Sequence, residues 1–510
     1  MTSAPVSVEK IRSYIWVNVA VILCLFANLY LFGVPQPGIH DEFSYLLGGD
    51  TFANGRLSNP EHQHKDFFHT FHVLQSPVYA SKYPPGSFLF LAIGFWLGHP
   101  YFGIWIQAIL FANVMLWFAL TFLPNKWALG AAVAALIQFC LANYWTISYW
   151  GGLTAAIAGC LALGGYWRVL WPPYPSKKYN AALCGIGLVL LMATRPFEGL
   201  IITGVSFPLF MGMKLLRKTN TISSLFNRFW ITGIFVLLGM SFIFFYNYKT
   251  TGSMTSFPHS EYAKQYFETS LFGGEKTDEF EVISVGQFQS FHDLYLVPAK
   301  SNYNIEDGLR KKSDTIFDFY FFHKLGLLVV AGLPLVWNFK TQFFVIPTVL
   351  AWLAESILIS FHPHYIAPLA ASLVVFQFTC LRALLTLLPV YRSQLRVFIT
   401  VCCIIYAFIA KERIQSPTYV NTAFWQFSHD RSQIIAKVLE YSDYNCIFVN
   451  YIDSGMHHME WVFNLANVDQ QNVIWAHDLG EKNSELLAYY PNRTFWRLNI
   501  SRKGLDLEKF

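Results

Sequence analysis

The segment YIWVNVAVILCLFANLYLFGVPQPGIHDE, residues 14–42, places two adjacent acids directly after a long apolar stretch. Tyr14–Gly33 is long enough to cross a bilayer, which takes about 20 apolar residues. Because it lacks a small-residue cleavage signal, we interpret it as a retained span and not as a removed signal peptide. Asp41 and Glu42 then stand at the boundary of lipid and water. They mark either an ordinary helix N-terminus, whose dipole favours acids, or the mouth of a cavity equipped for proton transfer.

The whole chain has the composition of a membrane protein. Of its 510 residues, 54% are hydrophobic and only 13% are charged, whereas soluble domains carry about 25% charged residues. The net charge of +5 is small and gives no reason to expect a nucleic-acid partner. Seven of the eight cysteines lie in apolar stretches, so neither a disulfide framework nor a cysteine zinc site is predicted.

Eleven apolar segments are candidate membrane spans, several of them short. They are Tyr14–Gly33, Tyr101–Leu123, Trp127–Leu141, Gly152–Leu170, Ala181–Ala193, Gly199–Leu216, Phe229–Tyr248, Phe319–Trp337, Phe343–Ile359, Tyr365–Leu387 and Val397–Ala410. A further stretch, Ser87–Leu97, is short for a crossing. We expect a re-entrant or interfacial helix there, unless two of the other segments form one span. The predicted fold is mainly α, a polytopic transmembrane bundle of about 11–13 spans.

Lysines and arginines near the span ends predict the orientation, because cytoplasmic loops are rich in both. Lys10 and Arg12 place the N-terminus in the cytoplasm. Counting spans from there puts two large loops, 34–85 and 249–318, on the outside face. We therefore expect a transmembrane domain over residues 1–410, with residues 411–510, here called the tail, on the outside.

The tail is more polar than the rest of the chain and alternates helical with strand-like patterns. Helices are predicted near Ser432–Tyr441 and over Asn483–Tyr490. Strands are predicted at Cys446–Tyr451, Val473–Asp478 and Thr494–Leu498. This order predicts a small soluble α/β domain on the outside face.

The first outside loop contains further candidate residues. We predict an amphipathic helix over Glu42–Ala53, lying in the membrane interface. Its apolar side would consist of Phe43, Leu46, Leu47 and Phe52. The loop ends in KYPPG, residues 82–86, whose prolines fix the first turn of the next helix. Lys82 therefore stands where a cation and a helix N-terminus converge, which favours a phosphate, although an interfacial lysine explains it equally well.

Histidines are dense in the same loop. His62 and His64, with Asp66 behind them, would present two imidazoles on one side of a strand. These three residues are the candidate ligands of a divalent metal ion such as Mg²⁺ or Mn²⁺. The competing interpretation is ordinary polar surface, which is more common for a wet loop with several histidines.

Aromatic residues end two other spans on the same face. Tyr149 and Trp150 belong to SYWGG, and His364 and Tyr365 belong to a late turn, HPHY. They belong either to an aromatic belt at the membrane surface or to the wall of a sugar-binding pocket. The sequence alone leaves both alternatives open.

Arg195 is unusual for its predicted position. It lies in RPFEGL at an outside turn, where the bias of arginine toward the cytoplasm disfavours it. We therefore expect an anionic partner, which is either Glu198 or the phosphate of a ligand.

An acidic pair after the first span, a large outside loop, a Pro-Pro entry into the next helix and about a dozen spans together resemble the GT-C glycosyltransferases. Within that superfamily the chain is similar to bacterial relatives of protein O-mannosyltransferases and lipid A aminoarabinose transferases. The similar stretches are SKYPPG, SYWGG, RPFEGL, IWAHDLG and YYPNRTFW. The resemblance implies a polyprenyl-phosphate sugar donor, an inverting single displacement and a catalytic carboxylate in the first outside loop.

Carried over by position, the resemblance implies Asp41 as the general base with Glu42 in support. Lys82 and Arg195 are the candidates for the donor phosphate. The implied pocket residues are Tyr83, Tyr149, Trp150, Glu198, His364 and Tyr365. No cofactor is certain, since some members use a divalent metal and others do not.

The resemblance also implies a bacterial inner membrane location with a periplasmic tail, and a glycan, lipid or protein acceptor. The chain has no WWDYG-type signature, which argues against an oligosaccharyltransferase. Its tail does not resemble the β-trefoil domain of eukaryotic O-mannosyltransferases, so the acceptor is not carried over.

Two other function classes remain. A secondary transporter would carry ionisable residues or broken helices near the bilayer midplane. The clearest acid within a predicted span is Glu355, and no inverted repeat is visible. A non-catalytic scaffold with a partner-binding tail would leave the acidic pair without a role.

Overall fold

The computed structural model describes residues 8–171, 178–266, 287–301, 304–322, 324–415, 422–452 and 458–510. Within these ranges, six helices are long and apolar enough to cross a membrane. They are Val8–Phe32, Tyr101–Phe122, Leu153–Leu170, Pro196–Leu216, Ile222–Thr251 and Pro363–Leu387. Two shorter apolar helices are Pro85–Trp96 and Lys178–Thr194. The chain is therefore an integral membrane protein with a mainly α-helical fold.

The remaining helices are shorter or more polar. They are His40–Ala53, Asn125–Cys140, Tyr144–Ile147, Pro258–Tyr266, Phe288–Phe291, Val297–Ser301, Ile305–Tyr320, Leu325–Val330, Leu333–Val336, Phe339–Glu355, Arg392–Gln415, Thr422–Leu439 and Asn483–Tyr489. Predicted spans at 127–141, 343–359 and 397–410 fall on three of these helices. The helix of Ser87–Leu97 is short as predicted, since its regular part, Phe88–Trp96, has nine residues. At 1.5 Å per residue it rises roughly 14 Å, less than half of a bilayer core.

The predicted span Phe319–Trp337 is not one helix. The chain instead forms two short helices, Leu325–Val330 and Leu333–Val336. Gly326 and Gly332 lie so close to the helix Ala370–Leu387 that an added Cβ would overlap it. The small residues that permit this approach also weaken helix formation, which explains the interruption.

The tail forms a four-stranded sheet, as its alternating pattern predicts. Its strand order is Val473–His477, Asn445–Tyr451, Thr494–Ser501 and Gly504–Lys509. The first two pairings are parallel and the last is antiparallel. Three of these strands match the predicted ones within a few residues. Gly504–Lys509 was missed because it is a largely exposed edge strand, whose sequence carries no buried face to recognise.

The helix His40–Ala53, here called the loop helix, differs from the predicted interfacial helix because protein surrounds it on nearly all sides. Gly48 faces the ring of Phe88, where a Cβ would come within 2.5 Å. On another side, the ring of Phe43 packs 4.6 Å from that of Phe463 in the tail. The first outside loop and the tail therefore enclose the loop helix together.

Candidate functional site

A cavity of about 430 Å³ opens at the N-terminal end of the loop helix. We call it the acid cavity, because Asp41 lines it together with Lys82 and Arg195. A second cavity, of about 330 Å³, adjoins it. We call this one the apolar cavity after its lining. The two share a set of wall residues, which are Tyr45, Lys82, Tyr83, Arg195, His259, Ser360 and Tyr365.

Asp41 occupies the first turn of the loop helix, and three side chains surround its carboxylate. Its Oδ2 lies 3.1 Å from His40 Nδ1 and 3.8 Å from His72 Nε2. The Tyr83 hydroxyl donates a hydrogen bond to Oδ1. Burial disfavours the charged form, but the neighbouring His72 and His40 and the Tyr83 hydrogen bond hold the pKa of Asp41 well below its usual range. These contacts favour the ionised form of the carboxylate, which is the form that a base requires.

Glu42 points away from the cavities, although it is adjacent to Asp41. Its two carboxylate oxygens accept hydrogen bonds from the backbone N–H groups of Gly38, at 2.7 Å, and Tyr149, at 2.9 Å. Burial raises the pKa of Glu42 to about 7, against the effect of these hydrogen bonds. The Tyr149 hydroxyl in turn donates to the carbonyl of Pro35 at 2.8 Å. Glu42 and Tyr149, both predicted site residues, tie the start of the loop helix to a span end and line neither cavity.

Lys82 brings a buried cation to the wall between the cavities. A short hairpin, Val73–Leu74 with Ala80–Ser81, sets Lys82 opposite His72, and the Lys82 N–H donates to the His72 carbonyl at 2.9 Å. The side chain is only 9% exposed. Burial lowers the pKa of Lys82 to about 8, with Asp41 opposing this effect.

The Lys82 ammonium lies near two aromatic rings, at 5.3 Å from the centre of Tyr83 and 4.9 Å from that of Tyr262. No carboxylate of the described residues lies within ion-pair distance of it. A buried cation without a counter-ion is costly, so this position favours an anionic ligand.

Arg195 contributes the second cation. Its Nη1 lies 3.8 Å from Glu198 Oε1, and its guanidinium stacks 4.7 Å from the ring of Tyr365. Glu198 is therefore the acidic partner that the sequence indicated, and it lines the apolar cavity. Arg195 lines both cavities, so its charge is also available to a ligand.

A glycine brings the turns of Lys82 and Arg195 together. Gly86 ends the KYPPG turn and packs against the end of the helix that precedes Arg195. A Cβ at this position would lie 2.4 Å from the Thr194 side chain and 2.8 Å from the Ala193 carbonyl. Two turns more than 100 residues apart therefore meet only because position 86 has no side chain.

Aromatic rings form one wall of the acid cavity. The centre of the Trp150 ring lies 5.4 Å from that of His362 and 5.0 Å from that of His364. The two histidine rings stack on each other at 5.5 Å. The Tyr144 hydroxyl, within 2.9 Å of His364 Nδ1, holds this ring in place. Of the predicted aromatic candidates, Tyr83, Trp150, His364 and Tyr365 line this cavity.

Several lining residues were given no role by the sequence. Six histidines line the acid cavity, at positions 40, 72, 259, 362, 364 and 458, and of these only His364 was a predicted pocket residue. His259 and Tyr262 come from the second large loop, and His458 comes from the tail. No spacing rule connects residues this far apart in the chain. The many histidines of the first loop indicated that some of them belong to a site. They did not indicate that His40 and His72 are the two that line the cavity.

The predicted metal ligands, His62, His64 and Asp66, are not part of a converging group of histidines and acids in the described ranges; we call them the outer cluster. Each binds a different residue of the tail, at distances of 3.1, 3.4 and 3.3 Å. The partners are Asp469, Glu485 and Lys482 respectively. Because the tail already satisfies these side chains one by one, they hold the first loop on the tail.

Among the described residues, the histidines and acids that do converge are His40, Asp41 and His72. Their potential ligand atoms all lie within 4.8 Å of one another. We call this group the inner cluster. The structure thus brings together two histidines and an acid of the same loop that differ from the predicted His62, His64 and Asp66.

No protein-family model and no curated protein sequence matches the chain. Its fold is similar to that of ArnT from Cupriavidus metallidurans in the apo state, with a TM-score of 0.52, 13% identity and coverage of 96% of this chain and 93% of that one. The undecaprenyl phosphate-bound structure of the same protein gives a TM-score of 0.50 at 13% identity, covering 95% and 93%. The oligosaccharyltransferase of Archaeoglobus fulgidus, in complex with Zn and sulfate, gives 0.55 at 12% identity, covering 94% and 67%. The chain therefore has the GT-C fold that its sequence predicted.

Proposed function

We propose that this GT-C-fold chain is an inverting glycosyltransferase, which moves a sugar from a polyprenyl-phosphate carrier to an acceptor hydroxyl. One observation carries the proposal. An ionised carboxylate, Asp41, and two cations, Lys82 and Arg195, line the same cavity although they come from distant parts of the chain. A base and an anion-binding site are the two requirements of this transfer. The ArnT structure of similar fold, solved with undecaprenyl phosphate, supports a lipid-phosphate donor.

The position of the donor follows from the two cavities. Lys82 and Arg195 belong to both, so a phosphate between them would face each cavity. The apolar cavity continues from this point along Met192, Phe197, Ile243, Phe257 and Leu358. Such a lining suits a polyprenyl chain that enters sideways from the bilayer. The acid cavity would then hold the sugar and the acceptor.

In the proposed reaction, Asp41 accepts the proton of the acceptor hydroxyl. The acceptor oxygen forms a bond to the anomeric carbon while the bond from that carbon to the phosphate oxygen breaks. The phosphate leaves with the bonding electron pair, and Lys82 and Arg195 stabilise the charge that develops on it. Attack from the side opposite the phosphate inverts the anomeric centre. Glu42 takes no part, because it lines neither cavity.

The sugar is proposed to lie against the aromatic wall. Trp150, His364 and Tyr365 offer flat apolar faces beside polar ring atoms. Aromatic side chains of this kind present apolar area with few rotamers to immobilise. The wall therefore gives the sugar a fixed orientation relative to Asp41, which contributes to catalysis by positioning.

A divalent cation fits the inner cluster. His72 Nδ1 is buried and has no hydrogen-bond partner within the described ranges, so its lone pair is available to an ion. Two imidazoles and a carboxylate suit zinc better than magnesium or manganese. We propose that His40, Asp41 and His72 would hold such an ion, which would act as a Lewis acid. The archaeal enzyme of similar fold was solved in complex with Zn.

We also propose a bacterial inner membrane location. Lys10 and Arg12 favour a cytoplasmic N-terminus. The first outside loop, the second large loop and the tail all contribute to the acid cavity, and their predicted orientation supports a reaction on the periplasmic side. The acceptor is then a glycan, lipid or protein of the cell envelope.

The proposal is tested with full-length protein in lipid nanodiscs and a panel of synthetic undecaprenyl-phosphate sugars with envelope extracts as acceptor. Release of undecaprenyl phosphate measures transfer. We expect Asp41→Asn to lower turnover at least about 1,000-fold, as expected when a base in direct contact with the reacting group is lost. The control Asp66→Asn should retain wild-type turnover. Near-normal turnover by Asp41→Asn, with its fold verified by circular dichroism, would contradict the mechanism.

The same preparation separates the rival classes. Flux of a solute into proteoliposomes without any lipid-linked sugar would identify a transporter. If cells that carry the double variant Asp41→Asn and Glu42→Gln behave like cells with the wild-type protein, the chain acts as a scaffold.

A further inference from the structure

The tail contributes an imidazole to the acid cavity that the proposed reaction leaves unused. His458 Nδ1 lies 3.1 Å from His40 Nε2, within hydrogen-bond distance. The His458 ring is framed by Phe291, Tyr295 and Phe424, with centre distances of 5.9, 5.4 and 6.2 Å. The second large loop and the helix at the start of the tail therefore hold His458 in place.

His40 is the link between His458 and the base. Its ring is 5% exposed, and its other nitrogen, Nδ1, lies 3.1 Å from Asp41 Oδ2. On the remaining sides it contacts the rings of His72, at 4.3 Å, and Phe71, at 5.1 Å. His40 thus stands between an ionised carboxylate and a second imidazole.

A neutral imidazole has one N–H and one lone pair, and the partner of one nitrogen decides the state of the other. With no metal ion bound, donation of the His458 Nδ1–H to His40 Nε2 leaves the proton of His40 on Nδ1, where it faces Asp41. In the reverse arrangement, His40 would direct a lone pair at the carboxylate, which is repulsive. The carboxylate therefore favours the first arrangement, and His458 is the residue that completes it.

We propose that His458 is a positioning residue, which fixes the tautomer and ring orientation of His40 and through it the orientation of Asp41. This inference rests on the proposed function. No bond is made or broken by His458. Partners of this kind orient the group that acts in serine proteases and in metal sites, where their loss is costly although they touch no substrate. The site is then complete only when the tail is docked, since His458 belongs to the tail.

The kinetic test uses two substitutions at position 458 and a control. His458→Phe keeps a ring but cannot hydrogen-bond, whereas His458→Gln keeps a side-chain donor. We expect His458→Phe to lower kcat about tenfold or more and to leave the KM for the donor unchanged, because His458, unlike Lys82 and Arg195, does not line the apolar cavity proposed for the lipid. His458→Gln should recover most of the loss. His429→Phe, at an exposed tail histidine, should behave as the wild type.

Three kinetic results would overturn the inference. They are an unchanged kcat in His458→Phe, an equal loss in His458→Gln, and a rise in KM in place of the fall in kcat. Equal loss in the control would assign the effect to the stability of the tail.

A second measurement does not depend on activity. Nitrogen-15 NMR of histidine-labelled protein in nanodiscs should show a through-hydrogen-bond coupling between one nitrogen of His40 and one of His458. The coupling should be absent in His458→Phe, and the His40 resonances should shift. Its absence in the wild type overturns the positioning role even if the enzyme is active. Its presence in a protein that turns over no lipid-linked sugar leaves the contact established and refutes the proposed function alone.

Discussion

The inner and outer clusters have the same composition, two histidines and one aspartate, and both lie in the first large loop. They differ in whether their side chains face binding partners in the tail or an open cavity. The tail supplies a separate partner to each member of the outer cluster. The inner cluster instead faces a cavity beside the buried cation of Lys82. The comparison teaches that residue type and spacing define possible chemistry, whereas the partners already present decide where that chemistry is available.

The sharpest test of this comparison sets two lysines against each other. Lys82 is buried beside the inner cluster, while Lys482 is more than half exposed and pairs with Asp66 of the outer cluster. We expect Lys82→Met to lower kcat/KM for the lipid-linked donor about 100-fold, because it removes one stabilising contact to the leaving phosphate. Lys482→Met should leave it unchanged, since exposed ion pairs contribute little. Equal losses in the two variants would break the comparison.

Metal binding gives the second test. Purified protein incubated with zinc and then desalted should retain about one ion, measured by mass spectrometry, if two imidazoles and a carboxylate form the site. His72→Ala should weaken zinc binding about tenfold or more, since it removes a ligand. His64→Ala should not weaken it. Zinc retention that depends on His64 and not on His72 would restore the sequence-based assignment.

The adjacent acids give the third test, through the pH dependence of stability. Glu42 has its pKa raised to about 7 in the folded protein, from an ordinary value of 4.5. Between these values the folded state binds more protons than the unfolded state, so this group makes stability fall as the pH rises from 5 to 8. In Glu42→Gln, which cannot titrate, the melting temperature should fall less over the same range, by a few degrees. A slope identical to that of the wild type would show that Glu42 does not carry a raised pKa.

The smallest effect is expected at the outer cluster itself. His62→Ala removes the contact to Asp469, whose carboxylate is half exposed and also accepts a hydrogen bond from the Tyr490 hydroxyl. Because the second contact remains, we expect a loss of about one degree in melting temperature and no change in turnover. Scanning fluorimetry and the donor-release assay measure the two quantities. A large loss of turnover would mean that the outer cluster, too, takes part in catalysis.

Two residues of the site could be predicted from the sequence, because each is energetically unfavourable at its predicted position unless it has a partner. An arginine at a predicted outside turn and an acid at the end of a predicted span are both costly without partners, and the structure places Arg195 and Asp41 at one cavity. The same reasoning could not tell which of the two adjacent acids, Asp41 or Glu42, faces the cavity. Successive residues of a helix point about 100° apart, so only one of two neighbours faces a given cavity. Which one does so depends on how the helix is rotated in its packing.

Contacts between distant parts of the chain could not be predicted from the sequence for a related reason. The partners of His62 and His40 are Asp469 and His458, about 400 residues away, and pairing over such distances follows no local rule. Three strands of the tail could be predicted because the residues of a buried strand form a recognisable pattern in its own sequence. The pairing of loop and tail depends on two surfaces that meet only after folding.

The distance between the Lys82 and Arg195 turns depends on the absence of a Cβ atom at Gly86. Lys82 and Arg195 repel each other, so electrostatics alone would drive their turns apart. What brings them together is the bare backbone of Gly86, which nests against the end of a neighbouring helix. A single methyl group there would act as a spacer and widen the proposed phosphate site, without touching either charge. The affinity for the proposed phosphorylated lipid therefore depends on steric allowance at position 86 as well as on electrostatic attraction.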